Sequence, residues 1–96
     1  MKAYLVLDLA INDFAAFSPY IAAIPAHIAR HQGRYIVQGV EPTPIEGDWT
    51  PQRLVIIEFP ERSNAEAFLS DPSIQGLFKV RHETTTSKLV LVDGCL

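Results

Sequence analysis

Three short runs in this chain are apolar at odd and even positions alike: Ala3–Ala10 (AYLVLDLA), Arg53–Phe59 (RLVIIEF) and Lys88–Asp93 (KLVLVD). Side chains along a strand alternate between two faces, so such runs build a sheet that avoids water on both sides. Leu5, Leu7 and Leu9 point one way and Tyr4, Val6 and Asp8 the other; Val55 and Ile57 oppose Leu54 and Ile56; Leu89 and Leu91 oppose Val90 and Val92. Any fold for this chain must shelter both faces. With 96 residues that demand is severe, because a domain of this size buries only about two-thirds of its unfolded surface.

The intervening residues supply cover for one face. Asn12 and Asp13 suit a helix start, and Phe14, Phe17, Ile21, Ile24 and Ile28 follow at helical spacing. Pro19 behind Ser18 either opens a new helix and splits the segment or kinks it, Pro25 kinks it, and Gly33 ends it. Arg34–Val40 (RYIVQGV) reads as a further strand, and the proline-rich stretch 41–52 as irregular. Ser63 and Glu66 form a capping box for a second helix, and Asp71-Pro72 opens a short one carrying Ile74, Leu77 and Phe78. The order β-α-β-β-α-β predicts one α+β domain over residues 1–96, of ferredoxin-like type: a four-stranded antiparallel sheet with its helices on one face. The other face is then left to a second copy packed sheet to sheet about a two-fold axis, so a homodimer is expected.

Charge and cysteine usage narrow the partners. Eleven acidic against eight basic residues, with no basic stripe, disfavour nucleic acid. The one cysteine, Cys95, has no intrachain partner, which suits a reducing compartment. No apolar stretch approaches the ~20 residues of a membrane span, and no export signal is seen. A cytoplasmic protein is expected.

The stretch GRYIVQG, the block E-G-D-W-x-P-x-R from Glu46 to Arg53, and Glu58-Phe59-Pro60 resemble the domain-of-unknown-function family numbered 1330 over nearly the whole chain. Pro25 and Arg81 also fall where that family carries a proline and an arginine, whereas Gln32 stands where it usually has the first glycine of a pair. The resemblance implies a ferredoxin-like dimer of the dimeric α/β-barrel superfamily, and no established activity.

The candidate site residues are few. His27 and His31 lie four apart, but without a third ligand or a helical glutamate between them no metal site is expected. His27, at the edge of the apolar stripe, is either a core-edge histidine or an acid–base group overlooking a cleft between helix and sheet. Arg34, Arg53 and Arg81 either recognise a carboxylate or pair with Glu46, Asp48 or Glu58. Glu58 and Asp8 interrupt apolar strands and call for partners. Trp49, in a polar loop, covers either a partner subunit or a pocket mouth. No P-loop, G-x-S-x-G, dinucleotide turn or paired-cysteine motif occurs. Two functions fit: an enzyme without a tightly held cofactor acting on a small organic acid or ring compound, or a non-catalytic homodimer that binds a metabolite or a protein. A deep pocket on which His27 and an arginine converge favours the first, and a filled interior with every arginine paired favours the second.

Overall fold

In the computed structural model, which describes residues 1–96, the elements run β1 (Ala3–Ile11), α1 (Phe14–Arg30), β2 (Arg34–Val40), β3 (Arg53–Phe59), α2 (Arg62–Ser70), α3 (Gln75–Thr84) and β4 (Thr85–Asp93). All strand pairs are antiparallel, in the order β2-β3-β1-β4, as the ferredoxin-like pattern requires. The barrel implied by the family resemblance is not formed. β2 and β4 lie at opposite margins, each paired on one side only, so the sheet stays open. Closure needs an unbroken ring of strand pairs, which four strands in this order do not make. No helix is long and apolar enough to cross a membrane.

The helix-side face is the core. Leu5, Leu7, Leu9, Val55, Ile57 and Phe59 meet Phe17, Ile24 and Ile28 of α1, Ala65 and Phe68 of α2, and Phe78 of α3. Phe59, Phe68 and Phe78 form a run of tilted and edge-on rings 5.5–5.7 Å apart.

Several boundaries differ from the sequence reading: α3 begins at Gln75 behind Ile74 and not at Asp71-Pro72, and β4 begins at Thr85 and not at Lys88. Pro19 does not split α1, which runs through both prolines from an N-cap at Asp13, whose side chain accepts from the Ala16 N–H at 3.1 Å. The donor that Pro19 removes is the one the Ala15 carbonyl would use; the Ser18 hydroxyl donates to that carbonyl instead, at 2.9 Å. The left-handed residue closing α1 is Gln32, at φ 65°, not Gly33. Gly33 is needed for a different reason: a Cβ there would stand 2.7 Å from the Phe59 ring and 2.9 Å from Ile28. The second helix begins earlier than Ser63, at Arg62, where the Asn64 side chain accepts from the Glu61 N–H at 3.1 Å.

The face away from the helices reads in three rows across the strands. One row is Val90, Val6, Ile56 and Val37, wholly apolar; it is flanked by Val92, Tyr4, Glu58 and Arg34 on one side and by Lys88, Asp8, Leu54 and Val40 on the other. Two register shifts in β2 leave Ile36 and Gly39 as extra residues, Gly39 at φ 71°.

Candidate functional site

The helices do not seat evenly on the sheet. α2 packs on β1 and β3, α3 packs on β4 and α1, and α1 lies closer to α3 than to the strands. Beneath α1, toward β2 and β3, a cleft of about 270 Å³ remains, and 11 of its 15 lining residues are hydrophobic. β1 contributes Leu7, Leu9 and Ile11 to its floor; α1 contributes Phe14, Phe17, Tyr20, Ile21, Ile24 and Pro25 to its roof. Phe14 and Ile21 are exposed at the mouth. Such a space suits a molecule with one or two rings.

Polar groups enter at four points: Tyr20, Tyr35, Gln38 and Arg53. Burial pushes the Tyr35 phenol up to about 12, with Tyr20 nearby adding to the effect. Burial likewise raises Tyr20, against the opposing charge and hydrogen bond of Arg81. Both phenols therefore keep their protons at neutral pH and can donate. The Tyr20 ring stacks on Phe17 at 5.0 Å, and its oxygen accepts from Arg81 Nη1 at 3.3 Å.

Of the residues singled out in the sequence, Arg53 lines this cleft, its Nη1 donating to the Gly39 carbonyl at 3.3 Å. Arg81 stands behind the wall, joined to the cleft through Tyr20. His27 is not among the lining residues. It sits seven residues after Tyr20 and four before His31 on α1; Tyr20 touches Arg81 of α3, and His31 Nε2 lies 2.7 Å from Oδ2 of Asp71, the residue that ends α2. The His27 ring is half-buried there, and its Nδ1 is buried without a partner. No third ligating side chain joins the two histidines.

Arg34, Glu58 and Trp49 lie on the opposite face of the sheet. Arg34 is directly across from Glu58 and donates to it from Nε at 2.9 Å; Tyr4 donates at 3.2 Å, and the Lys2 ammonium is 3.7 Å away. Burial pushes the Glu58 carboxyl up, but the hydrogen bonds of Arg34 and Tyr4 and the two cations outweigh it and hold it below its ordinary value. Trp49 donates from Nε1 to Asp8 at 2.8 Å, so its loop reaches across the open face while the indole stays 56% exposed. Glu46 and Asp48 pair with none of the arginines.

Tyr20, Tyr35 and Gln38 were not singled out as site residues. The signal for Tyr20 was its polar tip inside the apolar stripe. For Tyr35 and Gln38 there was none, because the bulges of β2 decide which of its side chains turn inward.

The fold has close counterparts. A protein of unknown function from Rhodopseudomonas palustris superposes with a TM-score of 0.80 at 16% identity, covering 99% of this chain and 83% of that one. A dimeric ferredoxin-like protein of unknown function from Jannaschia gives 0.74 at 9% identity, with 98% and 100% covered. SnoaB, a cofactor-independent oxygenase from Streptomyces nogalater, gives 0.68 at 17% identity, with 99% and 94% covered. No curated protein matches the sequence. The family profile does, over residues 2–95 out of 96, and the chain is accordingly a member of the DUF1330 family, a domain of unknown function.

Proposed function

We propose that this protein is a homodimer that binds a small ring compound in the cleft beneath α1 and acts on it without a tightly held cofactor. The cleft carries the reading: an apolar hollow of about 270 Å³ with a few inward polar groups, in a chain too small to keep such a space open for packing reasons. Tyr20, Tyr35 and Gln38 orient the ring by hydrogen bonds, and Arg53 guards the rim. His27, proposed from the sequence as the acid–base group, stands outside the lining, and a role for it requires that a ligand or water reach past Tyr20. The likeness in fold to a cofactor-independent oxygenase makes oxygenation the reaction class to test first.

Sheet-to-sheet pairing supports the dimer. The Val90–Val6–Ile56–Val37 row is apolar across all four strands, and Val90 is 59% exposed. Burying each such side chain is worth ~1.5–3 kcal/mol. A relative of the same fold is itself dimeric.

Titration calorimetry with 2-naphthol, coupled to oxygen uptake with 1,4-dihydroxynaphthalene, tests the reading. One ring compound bound per chain is expected, with binding lost in Ile21→Trp, which plugs the mouth. Binding untouched by Ile21→Trp would place the ligand elsewhere. The lining holds tyrosines and an arginine but no group that titrates near neutrality. That observation favours a second reading, a metabolite-binding homodimer, and binding without turnover selects it.

A further inference from the structure

The chain has five arginines, and they divide by location. Arg30, Arg34 and Arg62, all away from the cleft, each pair with a carboxylate: Asp71 at 2.6 Å, Glu58 at 2.9 Å and Asp93 at 3.0 Å. Arg53 and Arg81, the two associated with the cleft, pair with none. For the exposed Arg53 this costs little. Arg81 is only 6% exposed, and a guanidinium buried without a counter-ion is among the least favourable groups a small domain can carry.

What surrounds Arg81 does not neutralise it. Nη1 donates to Tyr20 and Nη2 lies against His82 Nε2, both at 3.3 Å, long for such bonds, and Nε is buried with no partner at all. The rings of Phe78 and Tyr20 lie 5.3 and 5.9 Å from its central carbon, an attraction that softens the charge without balancing it. The Tyr20 oxygen is occupied by Arg81, so the Tyr20 hydrogen points elsewhere, and no acceptor in the chain takes it. Tyr20 is also a lining residue of the cleft, so its unclaimed hydroxyl hydrogen is available to a ligand there, with the Arg81 charge behind it.

We infer that Tyr20 and Arg81 form an oxyanion-binding pair, and that the ligand of the cleft is an apolar ring bearing a carboxylate. The carboxylate accepts from the Tyr20 hydroxyl, and Arg81 supplies the balancing charge as a positioning residue. This rests on the cleft being the ligand site and adds the charge of the ligand to it.

Calorimetry with 2-naphthoate and 2-naphthamide, which share a shape and differ in charge, tests the inference. The wild type should bind the acid roughly tenfold or more tightly than the amide, the difference expected of a hydrogen bond to a charged group. Arg81→Met should erase that preference while still binding the amide, and Tyr20→Phe should remove most of it with the arginine in place. The unliganded Arg81→Met protein should unfold in urea at a midpoint no lower than wild type, because an unbalanced charge has been removed. Naphthoate should raise the melting temperature of the wild type more than that of this variant, and naphthamide should raise the two alike. Equal binding of acid and amide by the wild type overturns the inference and leaves the cleft standing; binding of neither overturns both. A marked fall in the urea midpoint of Arg81→Met would make the arginine structural and overturn the inference as well.

Discussion

The molecule exposes apolar surface in two places, and they differ in what they do with charge. On the open face of the sheet, each acidic group meets a partner within the chain: Glu58 meets Arg34, Tyr4 and Lys2, and Asp8 meets Trp49. In and behind the cleft, Arg53 and Arg81 meet no acid, and Tyr20 has a proton to give. A broad, internally balanced surface can pair with a copy of itself without bringing like charges together. A concave, unbalanced one calls for something the chain does not contain. Apolar exposure alone does not distinguish an interface from a binding site; charge balance does.

That contrast can be broken from either side. The largest effect is expected from Ile56→Arg, which puts a charge into the apolar row. Dimer affinity should fall by more than about 100-fold, since the charge would be buried unpaired. Sedimentation should then show a 10.7 kDa species, with naphthol binding retained. Ile21→Trp is the mirror experiment: ligand binding should drop by at least about tenfold through lost cleft volume, with sedimentation unchanged. If either variant disturbs both readouts, the two surfaces are not independent.

Acid should act on the open face through Glu58. Its carboxyl is held below the ordinary value in the folded state, so it adds stability above the ordinary carboxylate range. That contribution fades as pH falls through the lower folded value. The stability difference between wild type and Glu58→Gln, followed by urea unfolding, should be full at neutrality and shrink in strong acid. A difference that grows toward acid would contradict the pairing. The smallest effect is expected at a position on neither surface. Gln32→Gly relieves a left-handed residue and should stabilise by about 1 kcal/mol in urea unfolding, with sedimentation and binding unchanged.

The sequence reading went furthest where the determinants are local. Short apolar runs of β-forming residues marked the strands of the sheet, and β-α-β-β-α-β order gave its layout, because propensity and connection rules act over a few residues. It failed where a neighbour decides. Pro19 is tolerated because Ser18 replaces the missing donor, a detail that a reading of Ser-Pro as a helix start does not weigh. His27 stands at the edge of the apolar stripe, yet it is not among the residues that line the cleft. The sequence offered Arg81 as a candidate only on equal terms with Arg34 and Arg53; burial against Tyr20 and Phe78, which separates it from them, is set by tertiary packing. The inference of an open apolar face held without a barrel, because it depended on alternation within strands and not on how the strands close.

The two extra residues of β2 have a consequence for how the molecule can grow. A strand that gains a residue after Tyr35 and again after Gln38 cannot offer an even ladder of N–H and C=O groups to a neighbour. Stacking of further chains onto that margin is frustrated, so β2 is a poor template for growth from sheet edge to sheet edge.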